Sequence, residues 1–296
     1  GGAGTDFFLP NDFAVGGTNS TVSIRHSAGS YDQRARLGPI TGPAGSTIQI
    51  LATHDPSNGG TYAKDNYATS ADSTYAGNWF LDFTVDNSSR NVRLRADAAN
   101  ALGTGTVTLG RRAVLENTVT GGFDSLSGIV LQEPTSALNF GPGWTSATGT
   151  VSANFGTVNL GTATTYGTAS FATLEHSGSL VQFDVGATPA NADKIVVNSY
   201  VAGESSPIDV RLTELPGNGT YELVSYGTLT GTLDAQLQTR TRLIPNFSYG
   251  DGSNDKVTVS FTGNTANLVW KGNDEISPNS WDLDTTANFD NAGAPD

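Results

Sequence analysis

The 296-residue chain has a net charge of −13, 36 glycines, 15% charged residues, and neither cysteine nor methionine. The acidic balance argues against nucleic acid and anionic membrane surfaces as partners, because both require a basic protein surface. The lack of cysteine excludes disulfides, thiol catalysis and zinc–thiolate sites. Abundant glycine with few charges favours short strands joined by tight corners, so we expect an all-β fold.

The first residues are apolar and aromatic. Phe7, Phe8 and Leu9 precede Pro10, and the alternating residues 21–25 and 46–51 predict the first inward-facing strands. An aromatic start ended by proline is suited to cover the open end of a stacked β core. It is equally suited to dock into a neighbouring molecule.

Residues 54–73 are polar and rich in glycine, without regular alternation. We therefore predict a loop that protrudes from the strands, the kind of segment where binding tends to occur. Aromatic residues in and after this stretch suggest stacking on sugar rings as one role. The alternative is that they pack the loop against the strands. These ligand-loop candidates are Tyr62, Tyr67, Tyr75 and Trp79.

Residues 79–185 contain a series of short alternating strands. In residues 105–117, Val107 and Leu109 alternate with threonines before a glycine corner, and Ala113 and Leu115 continue the pattern. A strand this short cannot bury an apolar face by itself, whereas stacked copies can, and this is how a solenoid is built. With roughly 22 residues per coil, about 10 coils would fit the chain. The expected strands are 79–85, 91–96, 105–109, 113–117, 127–132, 137–140, 149–155, 158–160, 169–174 and 179–185.

The segment Ala-Leu-Gly-Thr-Gly-Thr-Val-Thr-Leu at 101–109 resembles the passenger-associated repeat of bacterial autotransporters and related giant surface proteins. Tyr75-Ala76-Gly77 stands near the position of that repeat's Tyr-Thr-Gly turn, whereas residues 78–85 are aromatic where the family has small residues. The resemblance implies a right-handed parallel β-helix. It also implies an exported, extracellular protein that is structural or adhesive.

Two further parts of the chain are similar to this repeat family. Residues 186–263 contain longer, regular strands and resemble a β-rich C-terminal module that closes the solenoid of residues 1–185. Residues 264–296 resemble the start of a further repeat or a connecting tail. The tail residues that we expect to take part in assembly, together with Phe7, Phe8 and Leu9, are Trp270, Trp281 and Phe289.

Catalytic and metal-binding patterns are weak. His26, His54 and His176 lie far apart and lack metal-ligand or triad spacing, so we expect no enzyme. The turn 251–255 carries oxygen donors at alternating positions, Asp251, Ser253 and Asp255, and is a weak candidate for Ca²⁺. A plain hairpin turn is the preferred interpretation of this segment. We expect no other cofactor.

The functional expectation is an extracellular or cell-surface structural protein, exported from a bacterium. It would form a rigid spacer, fibre or coat component, with other copies of itself or flanking repeats of a longer chain as partners. The alternative is an adhesin or glycan-binding passenger that recognises surface glycans. No apolar run in the chain approaches the roughly 18 residues that span a bilayer, so we expect no direct membrane insertion.

Overall fold

The structure is a computed structural model of the 296-residue chain. It describes residues 5–9, 12–26, 33–52, 64–84, 91–161, 165–238, 243–250, 255–262, 268–270, 289–291 and 294–295. For residues 5–9, 33, 64–65 and those from 268 onward, only the backbone pairing is described. Within these ranges, every regular element is a β-strand.

The strands are numbered in chain order. The first fourteen are β1 Thr5–Leu9, β2 Phe13–Ala14, β3 Thr21–His26, β4 Gln33–Leu37, β5 Ile40–Gly42, β6 Thr47–Ala52, β7 Lys64–Ala68, β8 Thr74–Tyr75, β9 Asn78–Phe83, β10 Val92–Ala96, β11 Thr106–Leu109, β12 Ala113–Asn117, β13 Gly128–Leu131 and β14 Ala137–Asn139. The remainder are β15 Gly143–Ala153, β16 Thr157–Asn159, β17 Thr168–His176, β18 Leu180–Val185, β19 Lys194–Ala202, β20 Pro207–Leu212, β21 Thr220–Thr230, β22 Asp234–Leu237, β23 Ile244–Tyr249, β24 Lys256–Thr262, β25 Leu268–Trp270, β26 Phe289–Asn291 and β27 Ala294–Pro295.

Successive strands alternate between two long sheets, so the chain winds as a β-solenoid of about 8 turns. The ten-stranded sheet has the order β1-β4-β7-β10-β12-β14-β16-β18-β20-β22 and is parallel throughout. The eleven-stranded sheet has the order β3-β6-β9-β11-β13-β15-β17-β19-β21-β24-β23. A third, three-stranded sheet, β2-β5-β8, widens the first coils. The predicted all-β solenoid is confirmed.

The coils differ in length. Val107 pairs with Ile129, 22 residues further along the chain, as the sequence pattern predicted. The pair Ile48 and Trp79 is 31 residues apart, because the intervening coil contains β7 and β8. The longer coils at both ends explain why the chain forms about 8 turns rather than about 10.

The interior is a single apolar cluster that runs from Val15 to Phe261. In the strands whose side chains are described, inward and outward positions alternate, and in the central coils the inward side chains are fully buried. Leu94, Leu115 and Leu138, for example, occupy the same inward position on neighbouring strands and are 0% exposed. Stacking therefore provides the burial that a single short strand lacks.

Parallel pairing continues past residue 186, where β19 pairs with β17 and β20 pairs with β18. Within the eleven-stranded sheet, the strand direction reverses at β24, which pairs antiparallel with both β21 and β23. Beyond this point, β25, β26 and β27 form a small antiparallel sheet of their own.

The loop predicted over residues 54–73 contains a strand. Lys64–Ala68 forms β7, a regular member of the ten-stranded sheet, and residues 53–63 lie outside the described residues. The sequence obscured this strand because its inward residue Asn66 is polar. Asn66 is 0% exposed; its side chain lies 2.8 Å from His26 Nε2 and donates to the carbonyl oxygen of Arg93 at 3.0 Å. A buried asparagine with both ends hydrogen-bonded replaces the apolar residue that the pattern requires.

Candidate functional site

The residues predicted to take part in assembly fall at two places. Phe7, Phe8 and Leu9 belong to β1, the terminal strand of the ten-stranded sheet. Trp270 and Phe289 are register partners in the small antiparallel sheet. Trp281 lies outside the described residues. The backbone thus places the first group at an edge of the solenoid and pairs two members of the second group.

The predicted ligand-loop aromatics do not form one exposed surface. Tyr75 and Trp79 are 0% exposed and belong to the core, with ring centroids 5.7 Å apart and edge-to-face. For these two residues the packing alternative applies, because a buried ring cannot stack on a surface ligand. Tyr67 is half-buried on the outer face between Arg36 and Arg95. Tyr62 lies outside the described residues.

The candidate Ca²⁺ turn is described only at Asp255, whose carbonyl oxygen accepts a hydrogen bond from the Tyr226 N–H at 2.9 Å. Asp251 and Ser253 lie outside the described residues. Elsewhere in the described ranges, no group of three or more His, Cys, Asp or Glu side chains is arranged to hold a metal ion. The weak Ca²⁺ prediction stays a prediction.

The most regular polar feature is a column on the outer face of the ten-stranded sheet. Each member lies between two inward-facing residues, so its side chain points outward. Each is the register partner of the next, which gives a spacing of about 4.8 Å along the column. In order, the members are Arg36, Tyr67, Arg95, Glu116, Asn139, Asn159, Gln182, Asp209 and Gln236.

The middle of this column forms the floor of a depression that we call the amide trough. Its floor is Glu116, Asn139, Asn159 and Gln182, and the cavity above it is about 350 Å³. The Asn159 side-chain amide donates to Asn139 Oδ1 at 3.0 Å. A second hollow of about 470 Å³ adjoins it and shares Glu116, Asn117 and Gly141.

Two glycines line the trough beside the asparagines. Gly141 and Gly161 follow Asn139 and Asn159 by two residues and have positive φ angles of 57° and 62°. A Cβ on Gly141 would lie 1.9 Å from the Asn117 carbonyl oxygen, and one on Gly161 would lie 2.2 Å from that of Thr165. Only glycine fits either position, because a side chain there would collide with a backbone carbonyl oxygen.

The side wall is the corner that carries Tyr166, which lines the second hollow with Pro142. The Tyr166 hydroxyl lies 2.9 Å from Thr213 Oγ1. The next residue, Gly167, donates its N–H to Asp193 Oδ1 at 2.7 Å, and Asp193 Oδ2 accepts the N–H of Asp184 at 2.8 Å. The buried side chain of Asp193 therefore connects the wall, at Gly167, to β18, at Asp184.

The charged groups at the trough are paired. Arg211 donates from Nε and Nη2 to the two carboxylate oxygens of Asp184, both at 2.6 Å, and this hydrogen bonding raises the pKa of Arg211. Arg95 Nε donates to Glu116 Oε2 at 2.6 Å. Behind the wall, burial raises the pKa of Asp193 to about 7, although the hydrogen bonds from Gly167 and Asp184 oppose this shift.

A wider hollow of about 750 Å³ lies at the corners that follow β19 and β21. Its lining is mostly small residues of the corners 202–207 and 231–234. Its charged residues are Glu204 and Asp234, both acidic. It lacks the ordered amide floor of the trough.

Reasoning from the sequence did not single out the trough. A signal was present, since Ala-Leu-Asn-Phe-Gly at 137–141 and Thr-Val-Asn-Leu-Gly at 157–161 repeat the same pattern 20 residues apart. In each copy, an outward-facing asparagine lies between two core residues, and the last residue is the glycine that lines the trough. A search for polar residues repeated at the coil length would have found it.

Comparison of the sequence with protein-family models and with curated proteins found no match. Within the described ranges, no helix has the length and apolar character needed to cross a membrane.

Proposed function

We propose that the protein is an extracellular structural repeat protein, a rigid spacer, fibre or surface-coat component that associates head to tail. The observation that supports this function best is the continuity of the two long sheets around one apolar cluster. Eight parallel steps from β3 to β21, each about 4.8 Å, give a rod of about 38 Å whose coils support one another through backbone hydrogen bonds. The extracellular location rests on the resemblance of residues 101–109 to passenger repeats.

The ends of the eleven-stranded sheet are suited to pair with each other. Among the described residues, β3 and β23 each have a strand partner on one side only. Because β24 is antiparallel to both β21 and β23, β23 runs in the same direction as the parallel strands. The β3 of a second copy would therefore continue the sheet in parallel. Unlike ends that meet in this way propagate without closing and produce a filament.

The side chains at the two ends support this arrangement. Val22 and Ile24 of β3 are only partly buried, whereas equivalent residues in the central coils are fully buried. At the other end, Phe247 and Tyr249 are also partly buried, and Ile244 is 66% exposed. Contact between the ends would remove this apolar surface from water. Pro245 lacks an N–H, so the N–H donors along β23 belong to Ile244 and residues 246–249.

Sedimentation velocity over a range of concentrations, with negative-stain electron microscopy, tests the assembly. We expect end-to-end polymers of the wild-type chain. Ile244→Lys should suppress them, because a lysine on an edge strand opposes pairing with another strand. The control is Leu215→Lys, which changes another exposed aliphatic residue, 57% exposed, in the corner between β20 and β21.

Wild-type protein that remains monomeric at every concentration would contradict head-to-tail assembly. Polymers that survive Ile244→Lys unchanged would show that β23 is not the connecting edge. The location is tested separately by treating intact source cells with protease, since a surface protein is cleaved and one enclosed by a membrane is protected.

A further inference from the structure

We propose that the amide trough binds an extended, uncharged oligosaccharide. This site is distinct from the solenoid ends and goes beyond the structural role. The two adjoining hollows, about 350 and 470 Å³, fall within the size range of small-molecule sites. From Glu116 to Gln182 the floor crosses three steps between strands, about 14 Å, so the site suits a linear ligand that lies along the solenoid axis.

The trough is polar but nearly neutral, in a protein with a net charge of −13. Asp184 is bound by Arg211 through two hydrogen bonds, and Glu116 is bound by Arg95. A strongly anionic ligand would have to compete with Asp184 for Arg211. A cationic ligand would have to compete with the arginines for both carboxylates. An uncharged ligand leaves these ion pairs intact.

The floor offers donors and acceptors together. Side-chain amides carry an oxygen acceptor and two N–H donors. The hydrogen bonds described at Asn139 and Asn159 use the oxygen of the first and one N–H of the second. Gln182 Nε2 donates to Gln238 Oε1 at 3.0 Å. Asn139 therefore retains its N–H donors, and Asn159 retains its oxygen and one N–H. Sugar hydroxyls both donate and accept, so a row of amides at regular spacing matches a row of hydroxyls.

The wall supplies the apolar contact that sugars also need. Tyr166 and Pro142 line the second hollow. Tyr166 is half-buried and oriented by the hydrogen bond to Thr213 and by the Gly167–Asp193 contact. An aromatic ring held beside hydrogen-bonding amides can pack against the C–H face of a sugar ring while the amides bind its hydroxyls.

An extended peptide fits this face less well. Peptides bind sheets by pairing with an unpaired edge strand. The floor strands β12, β14, β16 and β18 lie inside the sheet, and their backbone groups bond to neighbouring strands on both sides. The trough can therefore hydrogen-bond a ligand mainly through its side chains.

Isothermal titration calorimetry of the full chain tests the site. The uncharged probes are cellohexaose, mannohexaose and chitohexaose, and the comparison ligands are hexagalacturonate and an uncharged Ser/Gly hexapeptide. We expect at least one uncharged hexasaccharide to bind. Asn159→Leu should weaken it by about tenfold or more, because an isosteric apolar side chain removes the central amide. Asn198→Leu, the same change at an exposed residue on the outer face of β19, should leave the affinity within about twofold.

Circular dichroism and melting temperature should show that both variants are folded. The proposal is overturned if none of the three uncharged hexasaccharides binds at millimolar concentration. It is also overturned if hexagalacturonate or the peptide binds as tightly as the best of them, or if Asn159→Leu binds like the wild type.

Discussion

His176 Nδ1 lies 2.8 Å from the Tyr200 hydroxyl inside the core, and its other ring nitrogen lies 2.9 Å from the Ser179 carbonyl oxygen. Burial lowers the pKa of His176 to about 4, although the bond to Ser179 opposes this shift. A histidine in the unfolded chain has a pKa of 6.5. Between these values the unfolded chain binds the proton and the folded protein does not. His176 therefore does not reduce the free energy of unfolding above pH 6.5, and it reduces this free energy progressively as the pH falls toward 4.

His176→Gln should remove this dependence, because glutamine can donate and accept hydrogen bonds but does not titrate. The stability of the wild type relative to the variant should increase by up to about 3 kcal/mol from pH 4 to pH 6.5. Urea unfolding of both proteins at a series of pH values measures this difference in the free energy of unfolding. A constant difference across this range would show that the pKa of His176 is the same in the folded and unfolded states.

The effect of Asp193 on the pH dependence of stability should be opposite to that of His176. Its folded pKa is raised from 3.8 to about 7 by burial, so the folded protein binds a proton that the unfolded chain has lost. This contribution to stability is complete below about pH 4 and is lost as the pH rises through 7. Relative to Asp193→Asn, the wild type should lose up to about 4 kcal/mol between pH 4 and pH 7.

The same urea series tests this prediction, and a wild-type advantage that grows with pH would contradict it. Between pH 4 and 6.5 the contributions of His176 and Asp193 have opposite signs. The wild type should therefore show less pH dependence from these two groups than either single variant.

The two buried tryptophans of the central region should respond differently to the same substitution. The indole N–H of Trp79 donates to the Leu102 carbonyl oxygen at 2.9 Å, whereas in the described part of the chain the buried N–H of Trp144 has no acceptor. Trp79→Phe leaves a buried carbonyl unpaired, while Trp144→Phe removes an unpaired donor. We expect Trp79→Phe to cost about 1–2 kcal/mol more in the free energy of unfolding. Equal losses in chemical denaturation would contradict this difference.

Gly141→Ala should destabilise the protein by about 2–4 kcal/mol. The backbone at Gly141 has a φ of +57°, and the added Cβ would meet the Asn117 carbonyl oxygen at 1.9 Å. Gly16→Ala is the matched control, because a Cβ at Gly16 meets no atom within 4 Å. Its effect on the melting temperature should be small. Similar melting temperatures for the two variants would show that the corner at Gly141 accommodates a side chain.

Much of the fold followed from local patterns. Strands such as Ala113–Asn117 alternate cleanly and end at glycine corners, so their positions could be predicted within one or two residues. The solenoid itself followed from the shortness of these strands, because none can bury its apolar face alone. Lys64–Ala68 was missed because its inward position is held by Asn66, whose partners His26 and Arg93 come from other coils.

The candidate site was less accessible to sequence reasoning. Tyr75 and Trp79 were grouped with Tyr67 because they are close in the sequence, but the first two point inward and the last outward. The amide trough is assembled from Asn139, Asn159 and Gln182, which come from three coils. Such a row becomes visible only when the register between coils is known.

The register between coils also bears on how the chain reaches its native state. A strand of the ten-stranded sheet pairs with one that precedes it by roughly one coil, as Leu138 does with Leu115. The chain can therefore fold in sequence order while its later part is still being synthesised, because each new strand needs only the surface formed just before it. The exception is β23, whose strand partner among the described residues, β24, follows it in the chain. Completion of that last antiparallel pairing would be the final step of folding rather than its nucleus.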